Sequence, residues 1–190
     1  MSVTFNQPVR IYKYNNPTNN GVIAPDNSGA AHVTQEQYIT NPITTAGANT
    51  VALTTAYIGT TTPGNFQIPA GAILSNVKFY QTSSATGLTG GVITVSLVQP
   101  GANAGANATT AIGTITPTVA GGLIPISFTA SNAVATVISN VGSNDATLTF
   151  SAANATALSG GGIAGVFQAE YTARNYTGSI INVGQGYTNN

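Results

Sequence analysis

After about residue 50, most of this chain alternates between apolar and polar residues with a period of two. In the clearest stretch, Ile93, Val95 and Leu97 fall on one side of the alternation, and Thr94 and Ser96 fall on the other. Successive side chains of a β-strand project to opposite faces, so this pattern is typical of strands that bury one face. Comparable alternation covers residues 73–80, 126–129, 134–139, 147–150 and 163–171. The pattern predicts an all-β protein with antiparallel sheets.

Clusters of Gly, Pro, Asn and Ser separate the predicted strands at short and fairly even intervals. They lie at residues 62–65, 69–71, 86–87, 90–91, 100–101, 121–122, 142–145 and 159–162. These residue types supply the fixed proline φ, the positive glycine φ or the side-chain hydrogen bonds that turns require. About eight short strands between such turns are typical of a β-sandwich or a barrel. We expect one antiparallel β-sandwich domain of jelly-roll type over residues 49–190.

Residues 1–48 differ from the rest of the chain in composition. They hold five of the nine ionisable side chains, and residues 14–21 are rich in Asn and Pro. Such a stretch favours turns and irregular backbone. We expect an extended N-terminal arm that orders by docking on a partner or a neighbouring subunit, with a short strand at residues 9–14 and one or two helical turns at 30–39. The alternative is an ordinary edge strand and loop of the same domain.

The scarcity of charge excludes several classes of function. Only 4% of the residues are Asp, Glu, Lys or Arg, against about 25% in an ordinary globular protein. Nucleic-acid binding depends on clustered Lys and Arg, and binding to anionic membranes depends on a polybasic segment. We therefore expect no nucleic-acid partner and no membrane partner. The first residues lack the pattern of a secretion signal, and no apolar run reaches the length of a membrane helix, so we expect synthesis in a cytoplasm.

Catalytic and metal-binding patterns are weak. The chain has no Cys, which excludes disulfides, thiol catalysis and thiolate metal sites. His32 and Glu36 have the spacing of one helix face, but no further ligand accompanies them apart from Asp26. Residues 160–165 have the glycine spacing of a dinucleotide fingerprint without the helix and acidic residue that it needs. We predict no catalytic residue, no cofactor and no metal. A hydrolase, the weakest interpretation, would have to bring together the chain's four carboxylates, Asp26, Glu36, Asp145 and Glu170.

Tyrosines cluster toward both ends of the chain, and several accompany the charged residues there. Tyr is favoured at protein interfaces because it combines a large contact area with a hydroxyl group. These terminal side chains are therefore the predicted interface residues: Arg10, Tyr12, Lys13, Tyr14, His32, Glu36, Tyr38, Tyr171, Arg174, Tyr176 and Tyr187. The alternative is that several of the tyrosines complete the edge of the core.

One stretch resembles a known family. Residues 68–77 (IPAGAILSNV) read as a strand entry, and after a turn rich in Thr and Gly they are followed by the strand at residues 91–97 (GVITVSL). This combination, over about residues 66–98, resembles capsid decoration (cement) proteins of tailed bacteriophages, which have a jelly-roll or related β-sandwich fold. The rest of the chain is similar to them only in composition.

The resemblance implies a structural protein of the virion with no catalytic residues. It implies homotrimers at three-fold or quasi-three-fold positions of the capsid surface, with an arm over the major capsid protein. Under this hypothesis residues 1–48 engage the shell, and the partners are the major capsid protein and further copies of the chain. The pattern also occurs in phage head-fibre and tail proteins, so the alternative is a fibre or tail subunit that binds host surface glycans.

Overall fold

A computed structural model describes residues 31–43, 50–57, 66–83, 91–103, 105–153 and 163–173. Within these residues the chain forms eleven strands and one short helix. The strands are β1 (Ala31–Ile39), β2 (Thr50–Leu53), β3 (Thr55–Tyr57), β4 (Phe66–Ile68), β5 (Ile73–Gln81), β6 (Val92–Asn103), β7 (Ala106–Ile115), β8 (Gly122–Pro125), β9 (Ser127–Phe128), β10 (Ala146–Ala153) and β11 (Gly165–Ala173). The helix, α1, covers Asn132–Ser139 between β9 and β10. No helix in this part of the chain is long and apolar enough to span a membrane.

The strands form two antiparallel sheets. The first sheet has the order β3-β1-β11-β5-β8, and the second has the order β2-β10-β6-β7-β9, with β4 also pairing with β10. Every ladder between these strands is antiparallel. The predicted all-β, antiparallel sandwich is confirmed.

The core lies between the inward faces of the two sheets. Phe150 of the second sheet stacks on Phe167 of the first, with ring centroids 3.8 Å apart and planes 8° from parallel. Phe79 and Phe66 extend this cluster along the two sheets, at centroid distances of 4.8 Å from Phe167 and 5.8 Å from Phe150. Burying one such ring contributes about 2 to 3 kcal/mol. The aromatic cluster therefore holds the sheets face to face.

A tight corner carries the chain from the second sheet into the first between β4 and β5. The amide of Ala72 donates to the carbonyl of Pro69 at 3.1 Å, and Gly71 between them has φ +71°, a left-handed value that favours glycine. The amide of Gly71 donates to the carbonyl of Gly142 at 2.8 Å. The carboxylate of Asp145 accepts from the amide of Ala70 at 2.9 Å, so this side chain fastens the corner.

The helical turns predicted at residues 30–39 are wrong, because this segment is strand β1. Two of its inward positions are Gln35 and Gln37, so the sequence of β1 lacks the alternation of apolar and polar residues that indicates a half-buried strand. Gln37 is fully buried, and its side-chain carbonyl accepts a 2.6 Å hydrogen bond from the Thr55 hydroxyl, which lowers the cost of its burial.

Part of the predicted arm therefore belongs to the sandwich. Strand β1 lies between β3 and β11 in the first sheet. Because β3 pairs only with its last three residues, residues 31–36 are paired with β11 alone. The remainder of the predicted arm, residues 1–30 and 44–48, lies outside the described residues. The strand predicted at residues 9–14 lies there as well.

The strand predicted at residues 134–139 is wrong too, since these residues form most of α1. The hydroxyl of Ser131 caps the helix by accepting from the amide of Val134 at 3.2 Å. Val134 is buried, and Val137 and Ile138 are half-buried against the core. Their spacing of three and four residues matches a helix face, and the two-residue alternation over the same residues was coincidental.

Candidate interaction surfaces

The outer face of the first sheet carries most of the charge of the described residues. Ladder registers place Glu36 beside Gln168 and Gln168 beside Lys78, so these three side chains form one row across β1, β11 and β5. Two residues along the strands, the next row includes Glu170. His32 projects from the same side of β1, because it is separated from Glu36 by an even number of residues. We call this surface, defined by the outward side chains of β1, β11 and β5, the charged face.

Lys78 and Glu170 form an ion pair on the charged face. Their side chains are 24% and 21% exposed, so the pair is partly shielded from water. The pKa of Glu170 lies below its ordinary value chiefly because the Lys78 ammonium donates a hydrogen bond to the carboxylate. Burial opposes this shift, while the charges of Lys78 and His32 and a hydrogen bond from Asn76 add to it.

Glu36 is exposed and has a different environment. Its carboxylate accepts a 2.8 Å hydrogen bond from the side-chain amide of Gln168. Among the described residues the ion pair of Lys78 is made with Glu170 and not with Glu36. Glu36 therefore offers a carboxylate that is positioned by a neighbouring amide and is open to a cation from outside the sheet.

The spacing of His32 and Glu36, which would place both on one face of a helix, does not bring the two side chains together on strand β1. Both side chains lie on the charged face, but as positions four residues apart on a strand they are separated by about 13 Å. In the part of the chain that the structure describes, no group of three His, Cys, Asp or Glu residues could hold a metal ion. The two residues therefore lie on the same face of the sheet but are too far apart to bind one metal ion.

A row of aromatic and apolar side chains crosses one end of the charged face and continues onto β8. The registers pair Tyr38 with Val166, Val166 with Tyr80, and Tyr80 with Leu123, across β1, β11, β5 and β8. Tyr80 is 54% exposed and Leu123 is 59% exposed. Strand spacing makes the row about 14 Å long, and it lies about 7 Å along the strands from the row of Glu36. We call it the tyrosine row.

The outer face of the second sheet is different in composition. Its outward positions on β2, β4, β6, β7 and β10 carry hydroxyl, amide and small apolar side chains: Thr50, Ala52, Gln67, Thr94, Ser96, Val98, Thr109, Ala111, Thr114, Thr147, Thr149 and Ser151. None of these positions is ionisable. We call this surface the neutral face. The two outer faces of the sandwich therefore present different chemistry to a partner.

The predicted interface residues are distributed unevenly over this structure. His32, Glu36 and Tyr38 lie on the outer side of the first sheet, as a surface role requires. Tyr171 faces the core and is 5% exposed, so the core alternative holds for this tyrosine. The remaining predicted residues lie outside the described residues: Arg10, Tyr12, Lys13, Tyr14, Arg174, Tyr176 and Tyr187.

Three residues of the tyrosine row, Val166, Tyr80 and Leu123, were missed by the sequence prediction. Tyr80 stands on the polar side of the alternation with Lys78, which was a signal for an outward aromatic ring. Leu123 gave no such signal, because only the pairing of β8 with β5 places it beside Tyr80. No protein-family model, curated protein or solved structure matches this chain.

Proposed function

We propose that this chain is a structural virion protein that decorates and stabilises a bacteriophage capsid by binding the major capsid protein. The observation that carries the proposal is the neutral face, a broad sheet surface of hydroxyl, amide and methyl groups. Such a surface can bind another protein through hydrogen bonds and close packing without ion pairs. Its contacts would be modest individually, but their repetition over a shell gives high avidity.

We further propose that the sandwich is a jelly roll, the fold that accompanies the resemblance. A jelly roll arises when a long hairpin of eight strands is rolled up, so that strand 1 pairs with 8, 2 with 7, 3 with 6 and 4 with 5. Eight of the eleven described strands support this proposal through their pairing. They pair as β1 with β11, β2 with β10, β5 with β8 and β6 with β7, all antiparallel.

The segment that carries the family resemblance supports the proposal through its place in the fold. Residues 68–77 form the end of β4, the corner and the first half of β5, where the chain crosses between the sheets. Residues 91–97 enter β6, which contributes Thr94 and Ser96 to the neutral face. The resemblance therefore covers a structural crossover and one strand of the proposed binding surface.

The first test is the composition and structure of the particle. Virions produced by the phage that encodes this chain are purified, separated into heads and tails, and analysed by mass spectrometry and electron microscopy. We expect the chain in the head fraction, in copy numbers comparable with the major capsid protein, as density on the outer surface. Its absence from purified virions would refute the proposal. Its presence in tails, together with binding to host glycans, would support the fibre alternative.

The second test asks which face binds the shell. Purified chain is mixed with capsids stripped of it, and binding is measured by co-sedimentation. Thr149→Lys places a charge in the middle of the neutral face and should weaken binding at least about tenfold, because an unpaired ammonium would be buried at the contact. Ala135→Lys, at an exposed position of α1 and on neither outer face, is the control and should bind normally. Equal binding by both variants would exclude the neutral face as the contact.

A deletion of residues 1–30 tests the predicted arm separately. The deletion ends at residue 30 because β1 begins at Ala31, which is paired with Ala173 of β11. A loss of capsid binding greater than the loss of avidity expected from dissociated copies would support an arm that engages the shell. Full binding by the shortened chain would refute that part of the hypothesis and leave the neutral face as the contact.

A further inference from the structure

The charges of this neutral chain are separated between the sandwich and the chain ends. The described residues hold three carboxylates, Glu36, Asp145 and Glu170, and one ammonium, Lys78, which gives them a charge of −2 with His32 neutral. The residues outside the described ranges hold Arg10, Lys13, Arg174 and Asp26, a charge of +2. The sandwich and the remaining segments are therefore electrostatically complementary.

The charged face supplies the anionic side of this complementarity. Two of the three carboxylates, Glu36 and Glu170, lie on it. Lys78 already neutralises Glu170, which leaves Glu36 to accept an external cation. On β1, Glu36 lies two residues from Tyr38, the first member of the tyrosine row. The row continues across the sheet to Tyr80 and Leu123, which are more than half exposed. A ligand for this surface must therefore carry a cation next to aromatic or apolar groups.

Residues 9–14 (VRIYKY) have that chemistry. Arg10, Tyr12 and Tyr14 occupy alternate positions, so an extended backbone would present all three side chains to one side. A guanidinium can bind a carboxylate through two parallel hydrogen bonds. Aromatic rings gain further free energy from edge or offset contacts with other rings. The spacing of alternate side chains, about 7 Å, equals the separation between the row of Glu36 and the tyrosine row.

We propose that residues 9–14 of one copy bind the outer face of the first sheet of a second copy, with Arg10 at Glu36 and Tyr12 against the tyrosine row. A second copy is the occupant because a chain of zero net charge does not repel its copies, and the sandwich of one attracts the cationic segment of another. A contact between a segment of one copy and a face of the next is heterologous, and it closes into a ring when the rotation between copies allows closure. This inference rests on the proposed function, whose family resemblance implies homotrimers, and it does not require the capsid.

The absence of cysteine from the chain allows a direct test. Three single-cysteine variants are made: Ile11→Cys in the segment, Val166→Cys in the tyrosine row and Ala111→Cys on the neutral face. Pairs of purified variants are mixed and treated with a short bismaleimide. Ile11→Cys should crosslink to Val166→Cys in a covalent heterodimer, with at least about tenfold less product for Ile11→Cys with Ala111→Cys.

Two results of the crosslinking would overturn the proposal. Equal yields from the two mixtures would show that the segment does not select the charged face. The second result has two parts. The double variant Ile11→Cys/Val166→Cys crosslinks within one chain at high dilution, and the mixture of single variants gives no heterodimer. This result would mean that the segment binds its own sandwich. Neither result bears on the presence of the chain in virions, so failure of this inference is distinguishable from failure of the proposed function.

A charge exchange tests the pairing of Arg10 with Glu36. Sedimentation velocity of the purified chain, without any particle, measures the dissociation constant for self-association. Glu36→Arg and Arg10→Glu should each weaken association about tenfold, and the combined variant should recover most of the loss. Thr34→Arg, which places an arginine at an exposed position of the same face without removing Glu36, should not be rescued by Arg10→Glu. A monomeric wild-type chain, or a combined variant no better than either single one, would refute the proposal.

Discussion

At the scale of single residues, the Lys78–Glu170 pair gives a defined dependence of stability on pH. The folded-state pKa of Glu170 is below its ordinary value of 4.5, mainly through the hydrogen bond from Lys78. The ionised carboxylate therefore stabilises the fold above the unfolded-state pKa. That contribution is lost as the pH falls through the folded-state pKa.

We expect Lys78→Met to reduce the loss of stability between about pH 5 and pH 3, since Glu170 then titrates closer to its ordinary value. At neutral pH the free energy of unfolding should fall by less than about 1 kcal/mol, because the pair is partly exposed. Urea unfolding midpoints across this pH range measure both effects. Lys78→Arg preserves the charge and should preserve the slope. An unchanged slope in Lys78→Met would mean that other carboxylates account for the acid sensitivity.

Residue type alone could predict some of the residues on the candidate surfaces, but it could not predict which side of a sheet each residue occupies. His32, Glu36 and Tyr38 were predicted from their charge and hydroxyl groups, and all three lie on the outer side of the first sheet. Tyr171 has the same residue type as Tyr38, yet it is buried, because its odd position on β11 faces the core. The side of the sheet depends on register, and a register is set by partner strands far away in the chain.

At the scale of elements, the buried side chain of Gln81 fastens the end of β5 to the loop between β7 and β8. Its amide nitrogen donates to the carbonyls of Ser83 at 2.7 Å and Thr118 at 2.9 Å. Its amide oxygen accepts from the Thr118 amide at 3.0 Å. Gln81 is 3% exposed, and its bonds to Ser83 and Thr118 are partly buried. The side chain thus needs both a donor and an acceptor.

We expect Gln81→Glu to destabilise the fold by about 3 kcal/mol at neutral pH. The buried carboxylate would have no hydrogen to donate to the two carbonyl oxygens that it faces. Burial raises the pKa of such a carboxyl, so part of the loss should be recovered at about pH 4, where it is protonated and can donate. Urea unfolding at both pH values tests this. Gln99→Glu is the matched control: its half-buried side chain makes one bond, to the Val141 carbonyl at 2.9 Å, and should cost about 1 kcal/mol. Similar losses in the two variants would show that the Gln81 network contributes little.

Strands whose inward residues are all apolar were the ones that the alternation could predict. β6 and β10 bury Ile93, Val95, Leu148 and Phe150 at every second position, and both were predicted. β1 was predicted as helical because Gln35 and Gln37 occupy inward positions, and Gln37 accepts a hydrogen bond from Thr55 of a different strand. The error at α1 had the opposite cause, because its apolar residues fit both periods and the Ser131 cap decided between them. Local patterns could not resolve either case without the tertiary contacts.

At the scale of the whole molecule, the two sheets give one sandwich two unlike outer surfaces. The neutral face has no ionisable residue at its outward positions, whereas the charged face holds His32, Glu36, Lys78 and Glu170. The low charge of the sequence is therefore concentrated on one side of the described sandwich. Two kinds of contact can then form with different dependence on salt, one through each face.

We expect ionic strength to separate these two contacts. Raising NaCl from about 0.05 M to about 0.5 M shortens the screening length from more than 10 Å to less than 5 Å and weakens exposed ion pairs. Self-association through Arg10 and Glu36 should weaken several-fold over this range, as measured by sedimentation velocity. Binding to stripped capsids should change by less than about twofold, because hydroxyl, amide and methyl contacts carry no net charge. This binding is measured at chain concentrations that keep the oligomer intact. Glu36→Gln is the matched control, since it removes one charge without changing shape and should make self-association weak and insensitive to salt. Equal salt responses of self-association and capsid binding would contradict the assignment of one contact to each face.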